Sequence, residues 1–220
     1  MARRSDVHPQ PPRIGAPDLP PRLDQSPGLT ARGDHFQLRI TDLDAVTDAA
    51  HAALTECTVA AASVDRLDLT GATLVDVSIE ELRATTVVAR DARLRRVRIT
   101  GGRIGTLDLA TAGIDEVELR GVRIDYLSLG GAKVEDLLVA DCTIVTLDMP
   151  QATLTRVRFE NTRADEVDTG GMRADSVDLR GLDAASYLNV GALRGATLSP
   201  WQVEQLARAL AASHGIDVQD

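Results

Sequence analysis

The chain has 220 residues, 44 % of them apolar but only 2 % aromatic, so it is long enough for one domain with a sizeable aliphatic core, or for two small ones. Its formal charge of -9 at pH 7 disfavours polynucleotide backbones and anionic membranes as direct partners. Two cysteines, Cys57 and Cys142, cannot support a disulfide framework or a four-ligand zinc site.

No apolar run approaches the length of a membrane span, and MARRSDVHPQPPRIG lacks the apolar stretch of a signal peptide. A cytoplasmic protein is therefore expected. Prolines 9, 11, 12, 17, 20, 21 and 27 crowd the start of the chain, among five arginines and three aspartates. Such a composition buries little surface against its ordering entropy, which predicts a disordered tail over residues 1–33. Residues 34–50 contain the alternation Phe36, Leu38, Ile40 but do not follow the beat that comes next, so they are expected to form an N-terminal cap.

From residue 51 the sequence repeats every ten positions. The fourth position is apolar fourteen times in succession, from Leu54 through Leu94 and Ile124 to Ala184. The seventh runs from Cys57 through Leu67, Leu107 and Leu127 to Tyr187, and the second is mostly small, as at Ala72, Ala112 and Ala132. Each ten is thus two fives, with an inward pair spaced two apart and polar residues between pairs. That spacing puts both members on one face of an extended strand and leaves the polar residues to turn the chain. Where the fourth position shrinks, the second grows: Leu82 with Ala84, Thr162 with Ala164, Met172 with Ala174, Leu182 with Ala184. Two side chains that share one interior slot must fill it together, which predicts a solenoid whose units bury their apolar faces only by stacking. Cys57 and Cys142 fall on inward positions and read as reduced core thiols. The glycines at first positions, among them Gly71, Gly101, Gly121, Gly131, Gly171 and Gly181, read as corner residues.

On these residues the chain resembles the pentapeptide-repeat proteins, whose repeat is Ala-Asp/Asn-Leu-x-x. The matching stretches include Ala72-Thr73-Leu74, Ala92-Arg93-Leu94, Ala152-Thr153-Leu154 and the closing Ala196-Thr197-Leu198. Arg often stands where the family has Asp or Asn, and alternate fives carry Val or Leu where Ala is expected. The resemblance implies an all-β solenoid, a right-handed parallel quadrilateral β-helix over residues 51–198 with twenty residues per coil and about seven coils. A larger-coil β-helix of the pectate-lyase type is the alternative fold.

Residues 199–220 read as a C-terminal helix. Ser199 can cap, Pro200 suits the first turn, Gln202 completes a capping box and Gly215 is placed to end the helix. Val203, Leu206, Ala207 and Leu210 form a stripe at helical spacing, which either covers the last open coil or, with Trp201, makes a homodimer seam, as in some members of the family it resembles.

Catalytic chemistry finds no support in the residues. His8, His35, His51 and His214 lie in the tail or at the ends of the solenoid without metal-ligand spacing, and no nucleophile motif or glycine-rich phosphate loop occurs. No enzyme, metal or cofactor is expected. With twenty residues per coil, outward residues twenty apart share a column, which aligns Asp68, Asp108, Asp148 and Asp168 on one face and Arg83, Arg103, Arg123 and Arg163 on the next. Asp115, Glu116, Glu135 and Asp136 add acidic corners. These columns either neutralise one another in solvent or serve as an interaction surface. The expected function is a protein-interaction scaffold with no direct contact to nucleic acid or membrane and a partner that the residues do not name. The alternative implied by the resemblance is a DNA mimic that modulates DNA gyrase or another DNA-binding protein.

Overall fold

The computed structural model describes residues 8–26 and 28–219. The ten-residue beat becomes a parallel β-solenoid of about eight turns, with its strands in one 11-stranded and one 8-stranded sheet. Long strands such as Thr73–Glu80, Arg93–Thr100 and Gly113–Arg120 build the first sheet, and short ones such as Arg83–Val88, Arg103–Asp108 and Arg123–Ser128 build the second. Neighbours pair twenty residues apart, so Ile104 stacks on Ile124 and Ile144, and Leu107 on Leu127 and Leu147. All six of these side chains are buried, as are the compensating pairs Leu82 with Ala84 and Thr162 with Ala164.

The corners explain how a coil closes in twenty residues. Every first position from His51 to Gly171 has a positive φ, and so do Glu56, Asp76, Arg96, Glu116, Asp136, Arg156 and Ser176, which bend the long strands in their middle. Each full coil therefore carries at least three left-handed residues, most of them not glycine. A left-handed L-residue costs on the order of 1–2 kcal/mol, so these turns hold only because the stacked neighbours fix them. Corner N–H groups stay in the ladder: His51 donates to the Thr70 carbonyl and Ala61 to that of Glu80, both at 2.8 Å. Of the first-position glycines, Gly71, Gly101, Gly121, Gly131 and Gly171 take this conformation, whereas Gly181 does not. At Gly181 a Cβ would meet the Phe159 carbonyl and the Glu160 Cα, so close packing of two coils selects glycine there.

The eighth turn comes from residues 34–50, which continue the solenoid rather than capping it outside the beat. Strand Asp34–Phe36 pairs with Ala53–Ala60 nineteen residues on, as in His35 with Leu54, whereas Val46–Asp48 pairs at twenty, as in Thr47 with Leu67. One residue fewer between Ile40 and Val46 shifts the ten-residue pattern and hides the coil. His35 takes the inward slot that Leu54 fills in the next coil, is buried, and accepts a hydrogen bond from the Thr30 N–H at 3.3 Å. The opposite end slips in the same way, with Val177 pairing with Ala196 and a 3-10 turn at Val190–Leu193 before the closing strand Ala196–Thr197.

The proline-rich start departs most from expectation. Residues 1–7 and 27 of the segment expected to be disordered lie outside the described residues, but residues 13–18 run along the solenoid. The backbone N–H groups of Arg13, Gly15 and Asp18 donate to Asp136 (2.8 Å), Glu116 (3.3 Å) and Asp76 (2.9 Å). Five residues thus cross three coils, about 14 Å, or about 2.9 Å per residue. That rise is close to the polyproline II value, which proline favours at low entropic cost and which leaves its N–H groups free to donate outward. Composition gave no sign of this strap because its partners are fixed carboxylates more than fifty residues away.

Cys57 and Cys142 are free and buried, and burial pushes both thiols above the ordinary range. Stacking makes the inward residues the main source of stability. Leu127→Ala should therefore cost about 2–5 kcal/mol, whereas Asp125→Ala on the surface should stay within about 0.5 kcal/mol. Chemical denaturation of both variants checks this, and equal effects would contradict the inward assignment.

Candidate functional site

The arginine column lies on the short-strand sheet, where Arg83 pairs in register with Arg103, Arg103 with Arg123, and Arg163 stacks beyond Thr143. The third position of the repeat points outward, so the side chains of Arg103 and Arg123 are each 58 % exposed and that of Arg163 is 73 % exposed. Arg103 reaches Asp125 at 3.1 Å and Arg123 approaches the same carboxylate at 3.8 Å, so one negative charge serves two guanidinium groups. Arg163 faces Asp183 at 3.6 Å, and Arg83 forms no ion pair among the described residues. Gly105 breaks the neighbouring column and leaves a shallow depression beside Arg83 and Arg103. Solvent reduces each contact to a small term, which leaves a local positive strip on a negative protein.

The aspartate column is in register too, but the structure gives most of it a different use. Asp68, Asp108 and Asp168 each accept a hydrogen bond from the N–H two residues on, that of Thr70 (3.0 Å), Ala110 (3.1 Å) and Gly170 (2.8 Å). Asp48 and Ser128 do the same for Ala50 and Gly130. These are local turn caps, in which a short polar side chain satisfies a corner N–H that the ladder leaves open. Burial raises the Asp68 carboxyl, but the Thr70 hydroxyl and N–H and the Arg66 guanidinium together hold it below the usual range. Asp108 is buried and also accepts from Arg90 at 2.5 Å, and Asp168 accepts from Asn189 at 2.7 Å. Asp148 is the exception with a simple cause. Position 150 is proline and has no N–H to cap, so Asp148 instead accepts the Tyr126 hydroxyl at 2.8 Å.

The acidic corners are likewise engaged. Asp76 takes two hydrogen bonds from Arg96, and Asp136 two from Arg156. The Arg96 hydrogen bond is the main cause that holds the Asp76 carboxyl below the usual range. At Asp136 burial works the other way and is outweighed by Arg156 and the Arg13 N–H. With Glu116, these corners hold the N-terminal segment in place, while Glu56 in the same line accepts from Gln37 Nε2 of the first coil at 2.7 Å. At Asp115 burial and the neighbouring Glu116 and Glu135 raise the carboxyl and outweigh Arg95 at 3.8 Å.

The C-terminal helix, α1 (Pro200–Ser213), begins with the full capping box between Ser199 and Gln202 and is followed by Gly215 at φ 72°. Its inward line is the buried Gln202 with the partly buried Leu206 and Leu210, one turn apart each, and differs from the expected stripe. Gln202 is buried, and its Nε2 donates to the carbonyls of Leu179 and Leu182, both at 2.8 Å. A polar residue thus docks the helix on the last coil, because that coil ends in unpaired carbonyls that an apolar side chain would leave unsatisfied. Leu206 and Leu210 pack on the core, whereas Trp201 and Val203 stay 56 % and 45 % exposed. The four residues expected to make one seam therefore lie on two sides of the helix.

Among the described residues no group of three His, Cys, Asp or Glu side chains could hold a metal ion, and no helix is long and apolar enough to cross a membrane. No family model and no curated protein matches the chain. Among solved structures, two trypsin-treated variants of QnrB1, a plasmid-mediated fluoroquinolone resistance protein, are similar at 13 % identity. One has a TM-score of 0.40 over 90 % of this chain and 98 % of its own, the other 0.26 over 90 % and 100 %. Full-length QnrB1 gives a TM-score of 0.24 at 10 % identity over 81 % of this chain and 99 % of its own. Similarity at this level carries no argument about function.

Sequence reasoning missed the docked N-terminal segment, although the recurrence of acids at corner positions 76, 116 and 136 was a usable signal. Because Asp76 and Asp136 have depressed folded pKa values, their contribution is present above the unfolded value near 4 and is lost as pH falls through the folded values. At neutral pH, Asp76→Asn with Asp136→Asn should loosen the strap and speed tryptic cleavage after Arg13 and Arg22, with the circular dichroism of the solenoid unchanged. Cleavage at the wild-type rate would mean that these carboxylates do not hold it.

Proposed function

We propose that this chain is a pentapeptide-repeat protein that acts without catalysis, as a cytoplasmic interaction module holding an acidic protein partner on its arginine face. The observation that carries the reading is the run Arg83, Arg103, Arg123 on consecutive coils, in which Arg103 and Arg123 share the carboxylate of Asp125 and Arg83 forms no ion pair among the described residues. Stacked like charges about 4.8 Å apart repel, and a partner carboxylate placed between them relieves that repulsion. A solenoid suits the role because its rigid register fixes such groups at a regular spacing before the partner arrives.

Affinity capture followed by mass spectrometry tests this. A partner held by wild type should be lost from the Arg83→Glu, Arg103→Glu, Arg123→Glu variant while circular dichroism stays the same. Retention of the same proteins by that variant would sink the reading.

The alternative, a DNA mimic acting on DNA gyrase, draws support from the net charge of -9. It requires rows of free outward carboxylates, and the aspartate column is largely engaged in turn caps. Gyrase supercoiling is therefore expected to proceed unchanged at any concentration of this protein. Inhibition that is lost on charge reversal at Asp148 and Asp168 would establish the mimic instead.

A homodimer through the C-terminal helix would use its exposed side, Trp201 and Val203, rather than Leu206 and Leu210, which are occupied by the core. On that reading Trp201→Glu with Val203→Glu gives a folded monomer by light scattering. A wild type that is already monomeric at high concentration would remove it.

A further inference from the structure

A second surface, opposite in the coil to the arginine face, has a chemistry of its own. The outward third positions of the long strands stack as Thr73, Arg93, Gly113, Lys133, Thr153 and Arg173. Cations therefore recur on every second coil, separated by small residues. Arg93, Lys133 and Arg173 are exposed, and none of them forms an ion pair among the described residues. Between Arg93 and Lys133 lies Gly113, where an added Cβ would meet nothing within 4 Å, so the column has a notch. The notch opens into a groove of about 600 Å³ whose second wall carries Arg95, Asp115 and Glu135. The charges of that wall are met within it or at the adjoining corner, Asp115 by Arg95 at 3.8 Å and Glu135 by Arg156 at 2.5 Å. The unmatched charge of the groove is thus Arg93 and Lys133.

We propose that this groove docks an extended, proline-rich acidic segment of a partner protein, with a carboxylate at every third residue. Two coils advance about 9.6 Å along the solenoid axis. A polyproline II chain has three residues per turn and rises about 3.1 Å per residue, so its i, i+3 and i+6 side chains point the same way about 9.3 Å apart. An acid at every third position therefore meets Arg93 and Lys133 in turn, while the intervening residues fill the notch above Gly113. The molecule already carries one segment in this posture, since residues 13–18 cross three coils at nearly the same rise on the adjoining corner line. The proposal is independent of the arginine face, which lies on the other sheet.

The test uses the full chain and two fluorescein-labelled peptides of one composition, followed by anisotropy. The first is acetyl-(Glu-Pro-Pro)4-amide. The second is its isomer with the four glutamates in two adjacent pairs. The periodic peptide should bind at least tenfold more tightly than the isomer and weaken as salt is raised. Arg93→Ala with Lys133→Ala should reduce its affinity at least tenfold, and so should Gly113→Phe, which fills the notch from an exposed position. Arg83→Ala with Arg163→Ala, on the other face, should leave it unchanged. Equal affinity for the two peptides, no saturable binding, indifference to the Arg93 and Lys133 changes, or tighter binding of a twelve-residue oligothymidylate would each overturn the proposal.

Discussion

Each coil must return to its start after twenty residues, and the rest of the structure depends on that return. Parallel strands exchange hydrogen bonds only if the chain comes back at the same height offset every time, and the inward side chains stack only if that return keeps like positions above one another. The left-handed corners make the return possible. The Ile104, Ile124, Ile144 and Leu107, Leu127, Leu147 stacks offset the cost of those corners by removing whole apolar columns from water. Neither the corners nor the stacks would be stable alone, which is why the beat admits no inserted residue through the central coils.

The same periodicity that builds the core also writes the surface. A residue type repeated at twenty becomes a line, so even a modest preference at one outward position yields a column of like charges. Two such columns look alike in a sequence and differ in the fold. The aspartates at the eighth position sit beside a corner whose next N–H needs an acceptor, and most turn inward to meet it. The arginines at the third position have no local backbone carbonyl to satisfy and project into solvent. Position relative to the corner, rather than charge, separates structural from available groups.

The N-terminal segment adds a third use of charge. Carboxylates at Glu116 and Asp136, which on composition belong to a generic acidic surface, accept backbone N–H groups and fix the N-terminal strap along the rod. Arg96 and Arg156, in the same corner line, keep Asp76 and Asp136 ionised and oriented. The acidic balance of the chain is thus partly internal, which narrows the surface left for an external partner to the arginine face, the groove about Gly113 and the exposed side of α1.

The sequence by itself determined the solenoid, its ten-residue beat, the buried cysteines and the capping box of α1, because each follows from contacts at short or strictly periodic separation, whereas the twenty-residue coil was only implied by the resemblance. It concealed the first coil, since one residue fewer between Ile40 and Val46 is enough to break a visible beat while the ladder simply pairs at nineteen. Only the tertiary structure decided which charges are free. Whether Asp108 caps a turn, whether Asp148 is released by Pro150, whether Glu116 faces solvent or the Gly15 N–H, and which side of α1 meets the last coil all depend on groups brought together by folding. A periodic pattern fixes where a side chain sits along the rod, but the partners that neutralise it come from distant parts of the chain.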